Sequence, residues 1–403
     1  MRILVTGIAG YSHLVPFVLP AAIALREAGH DVTVAVPAAA QQLVAEHGLA
    51  VLALEGIPAM TDVATDPALR AEEFSVTEYV PPYSPYPFAE YGNSPVAGAR
   101  AFVGVIGHRV ATALLGALDG AVPDLIVRDN TEFGGYIAAE VLGCPQLALD
   151  VAPMFQSGSP EVLTVLNDLR EAHRLPPISA LPPGPRLAQT PPDFYPCEQR
   201  VEGLHYVRPG ARTHAPLDPI IAGIPADRPL VLASLGSIAP TVRFATDLLD
   251  RIVEALGSLD VHAVVATGSL DVRNPPHNVI LTDFVDQQTV LTTCDAFITH
   301  GGFNGVRESL QAGVPMVLLP LFGDHPLNSA QAERLGAGIT LDHWSASAGE
   351  IAATTDKVLA DSSFRRSARE FARRSQALDE LSTFPDRLDE IVGTYVRSPA
   401  GSG

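Results

Sequence analysis

Short apolar runs alternate along this chain with longer segments whose apolar residues recur at helical spacing. In the first half this pattern predicts strands at 2–6, 31–36, 50–54, 125–127 and 146–149, and helices at 14–28, 38–47 and 133–142. In the second half it predicts strands at 230–233, 263–266, 279–281, 296–299, 316–319 and 338–341. Strands joined by helical crossovers pair in parallel. The pattern therefore predicts an α/β fold built from two doubly wound, Rossmann-like domains.

Two irregular segments interrupt the pattern. The stretch 209–229 is rich in proline and follows neither a helical nor a strand period, which is typical of a linker. We predict an N-terminal domain at 1–215, a C-terminal domain at 216–382, and a final helix with a short tail at 383–403.

The other irregular segment, 58–95, is long enough inside a domain to be functional or mobile. Its aromatic side chains either line a pocket for an apolar ligand or pack on one another in a surface loop. They are Tyr79, Tyr83, Tyr86, Phe88 and Tyr91.

Composition and charge narrow the function classes. A chain of 403 residues is too long for one ordinary core, and its apolar fraction of 47% excludes a largely disordered protein. No apolar run reaches the ~18 residues of a spanning helix, so we expect a cytoplasmic protein with no membrane partner. The formal charge of −19 argues against nucleic acid as a partner. The three separated cysteines, Cys144, Cys197 and Cys294, are predicted to be free, buried thiols.

The segment 299–308 carries the strongest chemical signal. A buried strand ends there, a turn containing Gly301 and Gly302 follows, and a helix begins near residue 303. Glycines let the backbone approach a ligand, and the N–H groups and dipole of a helix N-terminus attract phosphate. His300 and Asn304 are additional donors, whereas Glu308 lies one turn deeper and is placed to accept from sugar hydroxyls. The alternative is an ordinary strand-to-helix connection, and spacing by itself leaves both open.

Two polar residues of the first half follow predicted strands. His13 comes after the first strand, and Asp129 closes the strand near 125. Ligands of open α/β sheets bind beyond the carboxyl ends of strands, and an imidazole held by a carboxylate is a general base. A lone histidine is more often an ordinary surface or core residue, and an aspartate at a strand end is often a turn residue.

Several motifs follow one another along nearly the whole chain. They are Ser12-His13-Leu14-Val15-Pro16, Ser234-Leu235-Gly236-Ser237, Phe284-Val285-Asp286-Gln287, His300-Gly-Gly-x-Asn304-Gly-x-x-Glu308, Gly313-Val-Pro and Asp324-x-x-x-Asn328. In type and order these motifs resemble those of the nucleotide-sugar-dependent glycosyltransferases, a family that includes plant, mammalian and antibiotic-tailoring enzymes. The resemblance implies the GT-B fold, in which two Rossmann-like domains face each other across a cleft and the final helix crosses back to the first domain.

The resemblance also implies an inverting transfer with His13 as general base, held by Asp129. Donor-binding residues would be Ser237, Phe284, Val285, Gln287, His300, Gly301, Gly302, Asn304, Gly305, Glu308, Asp324 and His325. Acceptor-binding residues would be Tyr79, Tyr83, Tyr86 and Phe88. Backbone donors would stabilise the leaving phosphates, and no Asp-x-Asp motif follows a strand, so we expect neither a metal nor a cofactor.

This chain departs from the family's pattern at two positions. Asp286 stands where the family usually has proline, which leaves the shape of that turn open. His325 follows Asp324 where the family commonly has glutamine. That pair contacts the donor sugar in the family, so the sugar stays open, and His325 is either a sugar contact or a solvent-facing residue.

The implied partners are a dTDP- or UDP-linked sugar and a hydrophobic natural-product acceptor, in antibiotic or other secondary metabolism, for a monomer or homodimer. Two alternatives are kept. One is a catalytically silent protein that binds a nucleotide sugar or assists another transferase, and the other is a nucleotide-sugar 2-epimerase.

Overall fold

The computed structural model describes residues 1–59, 62–63, 66–70, 98–153, 159–195, 203–210, 216–237, 239, 244–272 and 274–396. The chain divides into two compact units. The first comprises Met1–Gly210 together with Leu378–Gly403, and the second comprises Ala211–Ala377.

Seven parallel strands form the sheet in the described part of the first unit, in the order β3-β2-β1-β4-β5-β6-β7. Their bounds are β1 Arg2–Thr6, β2 Asp31–Pro37, β3 Ala50–Leu54, β4 Leu125–Asp129, β5 Gln146–Asp150, β6 Arg186–Ala188 and β7 Leu204–Tyr206. The inner strand β1 is buried from its second residue to its last, because helices cover both faces of the sheet. The first five strands are those that the apolar runs predict, whereas β6 and β7 were missed.

Helices flank this sheet. They are Tyr11–His13, the π-helix Leu14–Val18, Leu19–Glu27, Gln41–Glu46, Pro67–Arg70, the π-helix Ala99–Ile106, Gly107–Leu118, Phe133–Leu142, Pro160–Ala172 and Leu388–Val396. Short 3₁₀ turns lie at Ala38–Ala40, Pro192–Phe194 and Leu381–Arg387. The segment Ala99–Leu118 is long and apolar enough to cross a membrane by length and composition, which the reading of apolar runs had not found. Half of the most apolar part of this segment is buried inside the protein. There Val105 and Val110 pack with Leu4 and Ile126.

The end of the chain belongs to the core of the first unit. Leu381, Phe384, Leu388 and Ile391 are buried in the same hydrophobic cluster as Phe17. The backbone of Arg208 also donates to Asp379 and accepts from Leu381, each at 2.9 Å. These contacts tie the last helix to the first sheet.

Six parallel strands form the sheet in the described part of the second unit, in the order β10-β9-β8-β11-β12-β13. Their bounds are β8 Leu230–Ser234, β9 His262–Ala266, β10 Val279–Thr282, β11 Ala296–Thr299, β12 Met316–Leu318 and β13 Gly338–Thr340. The helices are Pro219–Ala222, Ala245–Gly257, Gln287–Leu291, Phe303–Ala312, His325–Arg334, Ala348–Ala360 and Ser362–Gln376. Both sheets thus have the doubly wound, parallel architecture predicted from the sequence.

The cysteines are only partly as predicted. Cys294 is buried and free, whereas Cys144 is free but only half-buried because it lies at the turn that follows Phe133–Leu142. Cys197 lies outside the described residues.

Candidate functional site

In the first unit, His13 and Asp129 lie close together because β1, which precedes His13, and β4, which ends at Asp129, are neighbours in the sheet. β1 and β4 pair in parallel with Thr6 opposite Arg128, so the loop after β1 and the end of β4 meet at one edge of the sheet. His13 ends the first helical turn after that loop. Pro16 follows it inside a helix and lacks an amide donor, and the backbone over Leu14–Val18 takes the wider π-helical turn.

A hydrogen bond connects the two residues directly. His13 Nδ1 lies 2.8 Å from Asp129 Oδ2, with the carboxylate fully buried and the imidazole 21% exposed. An ionised carboxylate only accepts hydrogen bonds, so Nδ1 carries the proton and Nε2 the lone pair of the neutral ring. The structure therefore brings together the imidazole and the carboxylate that the sequence analysis named as base and partner.

Thr131 holds the carboxylate from the other side and was missed in the sequence. Its backbone amide and its hydroxyl donate to Asp129 Oδ1 at 2.8 Å and 2.7 Å. Both oxygens of Asp129 are thus engaged, which fixes the plane of the carboxylate. The signal was present as an Asp-x-Thr turn, in which an aspartate side chain accepts from the amide two residues later.

Glu132 is a second buried carboxylate near this point, and it has a structural task. It accepts from Thr6 Oγ1 at 2.6 Å and from the amide of Gly135 at 2.8 Å, where it caps the helix Phe133–Leu142. Burial raises its pKa above the usual range. Its hydrogen bonds are therefore those of a helix cap.

In the second unit, a glycine turn links β11 to the helix Phe303–Ala312. Gly301 has φ +79°, and an added Cβ would meet Ser329 Oγ and approach the carbonyl oxygen of His325 to 3.0 Å. Asn328 Nδ2 donates to the Gly301 carbonyl at 3.1 Å. No side chain of the described residues caps this helix, whose Ncap is Gly302. A helix N-terminus of this kind can bind an anion through its amides and dipole.

The loop after β8 reaches the same place. β8 pairs with β11, with Ser234 opposite Thr299. An added Cβ on Gly236 would lie 2.6 Å from His300 Cε1, and one on Gly302 would overlap His300 Nε2. The Nε2 edge of His300 therefore lies between two glycine turns, and Ser237 at the end of the first turn is exposed.

His300 is a neutral group. Burial, and next the neighbouring His325, lower the pKa of His300 to about 3, against a smaller opposing effect of Asp324. Burial, and next His343, lower the pKa of His325 to about 3. Near pH 7 both rings are uncharged, so His300 can donate a hydrogen bond to phosphate without bringing a positive charge.

The pair Asp324 and His325 begins the next helix. Asp324 is partly exposed and accepts from Asn328 Nδ2 at 2.7 Å. His325 is only 6% exposed, which excludes the solvent-facing alternative. Its ring lies edge-to-face on His300 with centroids 4.6 Å apart.

The turn at 284–287 presents an exposed aromatic face. Phe284 is 74% exposed, which excludes the alternative that it is an ordinary core residue. Val285 beside it is half-buried. Asp286, at the family's proline position, accepts from the Thr289 amide at 3.3 Å and caps the helix Gln287–Leu291. The substitution thus gives this turn a helix cap.

Glu308 is surrounded by donors from the protein itself. Gln287 Nε2 donates to one carboxylate oxygen at 2.7 Å, and Gln288 Nε2 donates to the other at 2.8 Å. The fully buried Arg307 adds a contact of 3.3 Å. A carboxylate has about four lone-pair sites. These three contacts therefore leave Glu308 little capacity to accept from the sugar hydroxyls that the sequence predicts as its partners. Gln288 and Arg307 were missed, although each adjoins a residue singled out in the sequence.

Asn304 and Gly305 lie in the first turn of the helix Phe303–Ala312, and Asn304 Oδ1 accepts from Arg307 at 3.3 Å. The proposed acceptor residues lie outside the described residues; they are Tyr79, Tyr83, Tyr86 and Phe88. Among the residues that the structure does describe, no group of three or more His, Cys, Asp or Glu side chains could hold a metal ion.

Comparisons with known proteins show which families and enzymes this chain resembles. Residues 250–382 match the family model described as erythromycin biosynthesis protein CIII-like, C-terminal domain. The chain is 29% identical over 384 residues to an L-demethylnoviosyl transferase of Streptomyces niveus, covering 92% of this chain and 93% of the relative. It is 28% identical over 450 residues to the TDP-daunosamine transferase DnrS of Streptomyces peucetius, covering 100% and 99%.

Solved structures agree on the fold. The glycosyltransferase SnogD from Streptomyces nogalater superposes with a TM-score of 0.74 at 24% identity, covering 97% of this chain and 100% of that one. The glycosyltransferase VinC, solved in complex with dTDP, superposes with a TM-score of 0.72 at 20% identity, covering 98% and 100%. The GT-B fold and the family resemblance predicted from the motifs are confirmed.

Proposed function

From the premise that this chain is a glycosyltransferase of the GT-B fold, in the natural-product tailoring branch, we propose that it is an inverting enzyme with His13 as general base. It moves a sugar from a nucleoside diphosphate to a hydroxyl of an apolar natural product. The observation that carries the proposal is the 2.8 Å hydrogen bond from His13 Nδ1 to the fully buried Asp129.

The base acts through its second nitrogen. Nε2 of His13 takes the proton of the acceptor hydroxyl while the oxygen forms a bond to the anomeric carbon. The bond from that carbon to the diphosphate oxygen breaks, and its electron pair leaves with the nucleoside diphosphate. Attack opposite the leaving group inverts the anomeric configuration. Asp129 stabilises the imidazolium that forms and holds the ring in one tautomer.

The leaving phosphates are stabilised by the second unit. The glycine turn of residues 301–302 supplies backbone donors at the start of the helix Phe303–Ala312. His300 adds a neutral hydrogen bond from between Gly236 and Gly302. Fixed donors of this kind replace a metal ion in the proposal, so transfer proceeds without a divalent cation.

The donor nucleotide contacts the same unit. The exposed face of Phe284 stacks on the base, and Glu308 and Gln287 lie on the ribose side. Asp324 contacts the sugar. One relative is named a TDP-daunosamine transferase and one structural neighbour is a complex with dTDP, which favours a dTDP-linked deoxysugar over a UDP-linked hexose.

We keep four further expectations as proposals. The aromatic residues of the segment 79–88 line the acceptor site. The protein acts in the cytoplasm, and it acts as a monomer or homodimer without a cofactor.

The test is to incubate the protein with dTDP- and UDP-sugars, with and without a panel of apolar acceptors and with EDTA. We expect nucleoside diphosphate and a glycoside of inverted configuration to appear together, and EDTA to leave the rate unchanged. Donor binding without release would support a silent binding protein, and a donor changed at C2 would support an epimerase. A requirement for Mg²⁺ or Mn²⁺ would contradict the metal-free account.

A further inference from the structure

We infer that His325 positions the phosphate-binding His300 and is not a ligand of the donor sugar, which leaves Asp324 as the sugar contact of this pair. The inference rests on the proposed function. It also departs from the sequence analysis, which left His325 as either a sugar contact or a solvent-facing residue.

The packing of the two imidazoles is the first observation. Their ring centroids are 4.6 Å apart at an interplanar angle of 86°, an edge-to-face arrangement. The Phe322 and His325 ring centroids lie 4.5 Å apart at 41°. The His325 side chain is 8% exposed. The ring is thus buried and packs on two aromatic rings, one of which is the imidazole at the proposed phosphate site.

The hydrogen bonds of His325 are the second observation. The backbone amide of Phe322 donates to His325 Nδ1 at 3.3 Å, so Nδ1 is the acceptor nitrogen and the proton is on Nε2. Nε2 lies 3.9 Å from Asp324 Oδ1, which is longer than a hydrogen bond. The local backbone therefore orients the ring, and no hydrogen bond to Asp324 is needed to hold it.

The glycine turn completes the arrangement. The carbonyl of His325 would lie 3.0 Å from a Cβ at Gly301, so the start of the helix His325–Arg334 packs directly against the turn. Gly236 and Gly302 confine the Nε2 edge of His300. The edge-to-face contact of His325 confines the His300 ring at another point. Removing that ring frees His300 to leave the orientation in which it donates to phosphate.

Charge supports the same role. The pKa of both imidazoles lies far below its ordinary value because of burial. The groups that act on them are His343, which lowers the pKa of His325 further, and Asp324, which opposes the shift at His300. Two protonated imidazoles at this distance would repel each other, so His325 acts on His300 as a neutral aromatic ring.

Three variants separate positioning from sugar recognition. His325→Phe keeps the ring but removes both nitrogens, His325→Gln supplies the family's amide but removes the ring, and Asp324→Asn serves as the matched sugar-contact control. Calorimetry gives the Kd of dTDP or UDP, whichever the wild type binds, and of the matching nucleotide sugar. We expect His325→Phe to stay within about threefold of wild type for both ligands. We expect His325→Gln to weaken both by about tenfold. Asp324→Asn should weaken only the nucleotide sugar.

The reversed pattern overturns the inference. If His325→Gln bound the diphosphate like wild type while His325→Phe lost affinity only for the nucleotide sugar, His325 would be a sugar ligand. His325→Leu, which keeps apolar volume without a ring, replaces the glutamine variant if circular dichroism shows that variant unfolded, with the same tenfold loss expected. If the wild type bound neither diphosphate, both the proposed function and this inference would be contradicted.

Discussion

Each unit of this protein places a candidate site histidine just after a strand of a parallel sheet, and the two histidines have opposite surroundings. His13 follows β1, is 21% exposed and lies 2.8 Å from a buried carboxylate. His300 follows β11, is enclosed by two glycine turns, and lies edge-to-face on another imidazole. A carboxylate partner favours the protonated ring, whereas burial against an imidazole disfavours it.

The comparison teaches that the fold gives the location and the neighbours give the chemistry. Both imidazoles stand where open α/β sheets bind ligands. One is arranged to gain a proton and to be stabilised once it has gained it. The other is arranged to stay neutral and to donate a single hydrogen bond. The predictions below follow from this division, in order of decreasing effect.

His13→Ala should lower the rate of transfer by about 10² to 10⁴, because the general base is lost. Binding of the nucleoside diphosphate should be nearly unchanged, because the phosphates are assigned to the second unit. Steady-state kinetics with an alcohol acceptor, together with calorimetry, measure both. An acidic phenol acceptor is the control, since it needs less help from a base and should lose less. Unchanged turnover of the alcohol would exclude His13 as the base.

Asp129→Asn should act in the same direction with a smaller effect, about 10- to 100-fold, because it removes one charge-assisted hydrogen bond to the imidazole. Thr131→Val is the matched control, since it keeps Asp129 but removes the 2.7 Å hydroxyl bond to its carboxylate and the 3.5 Å contact of that hydroxyl with His13 Nδ1. We expect its loss in kcat to be smaller still. If Thr131→Val lost as much kcat as Asp129→Asn, the effect of Asp129 on His13 would be due to packing and not to its charge.

His300→Ala should weaken binding of the nucleoside diphosphate by about tenfold or more, which corresponds to one hydrogen bond to a charged group. The KM for the acceptor should change little. Titration calorimetry and acceptor saturation curves compare the two effects. A variant that raised only the acceptor KM would reverse the assignment of the two histidines.

The pH dependence of stability is separate from these effects on transfer and binding, and it tests whether the two rings are neutral. His300 and His325 titrate near 3 in the folded chain and near 6.5 when unfolded. Stability is therefore highest above about pH 6.5 and is lost as the pH falls toward 3, because the unfolded chain binds these protons first. Each histidine contributes a slope of about 1.4 kcal/mol per pH unit in that window. In urea unfolding between pH 5 and 7, His325→Phe should show a shallower slope than wild type. Equal slopes would contradict a neutral His325.

Sequence alone predicted the long-range frame of the fold. The first five strands of one sheet and all six of the other follow apolar runs that the sequence shows directly. The strands β6 and β7 were missed because Arg186–Ala188 and Leu204–Tyr206 are short and lie in no apolar run. The equally short β12 was predicted because it lies in the apolar run 314–319. The attachment of the last helix to the first unit depends on contacts between residues far apart in sequence, and only the family resemblance implied it.

The sequence named candidate site residues one by one, but it did not predict most of the contacts among them. The position of His13 after one strand and of Asp129 at the end of another predicted that they would meet, because those strands are neighbours. Sequence spacing gave no indication that Gln288 would share the carboxylate of Glu308, or that His325 would face His300. Such contacts depend on side-chain rotamers and on the exact packing of neighbouring helices.

Hydrogen exchange with a nucleoside diphosphate tests the division of labour between the two units most directly. With saturating dTDP or UDP, the account predicts slower exchange of the backbone amides at 234–237 and 301–305. It predicts little change at 129–133, where the carboxylate of the base lies. Protection of 129–133 with no change at 301–305 would contradict the account, because the diphosphate would then bind beside His13 and not at the glycine turns around His300.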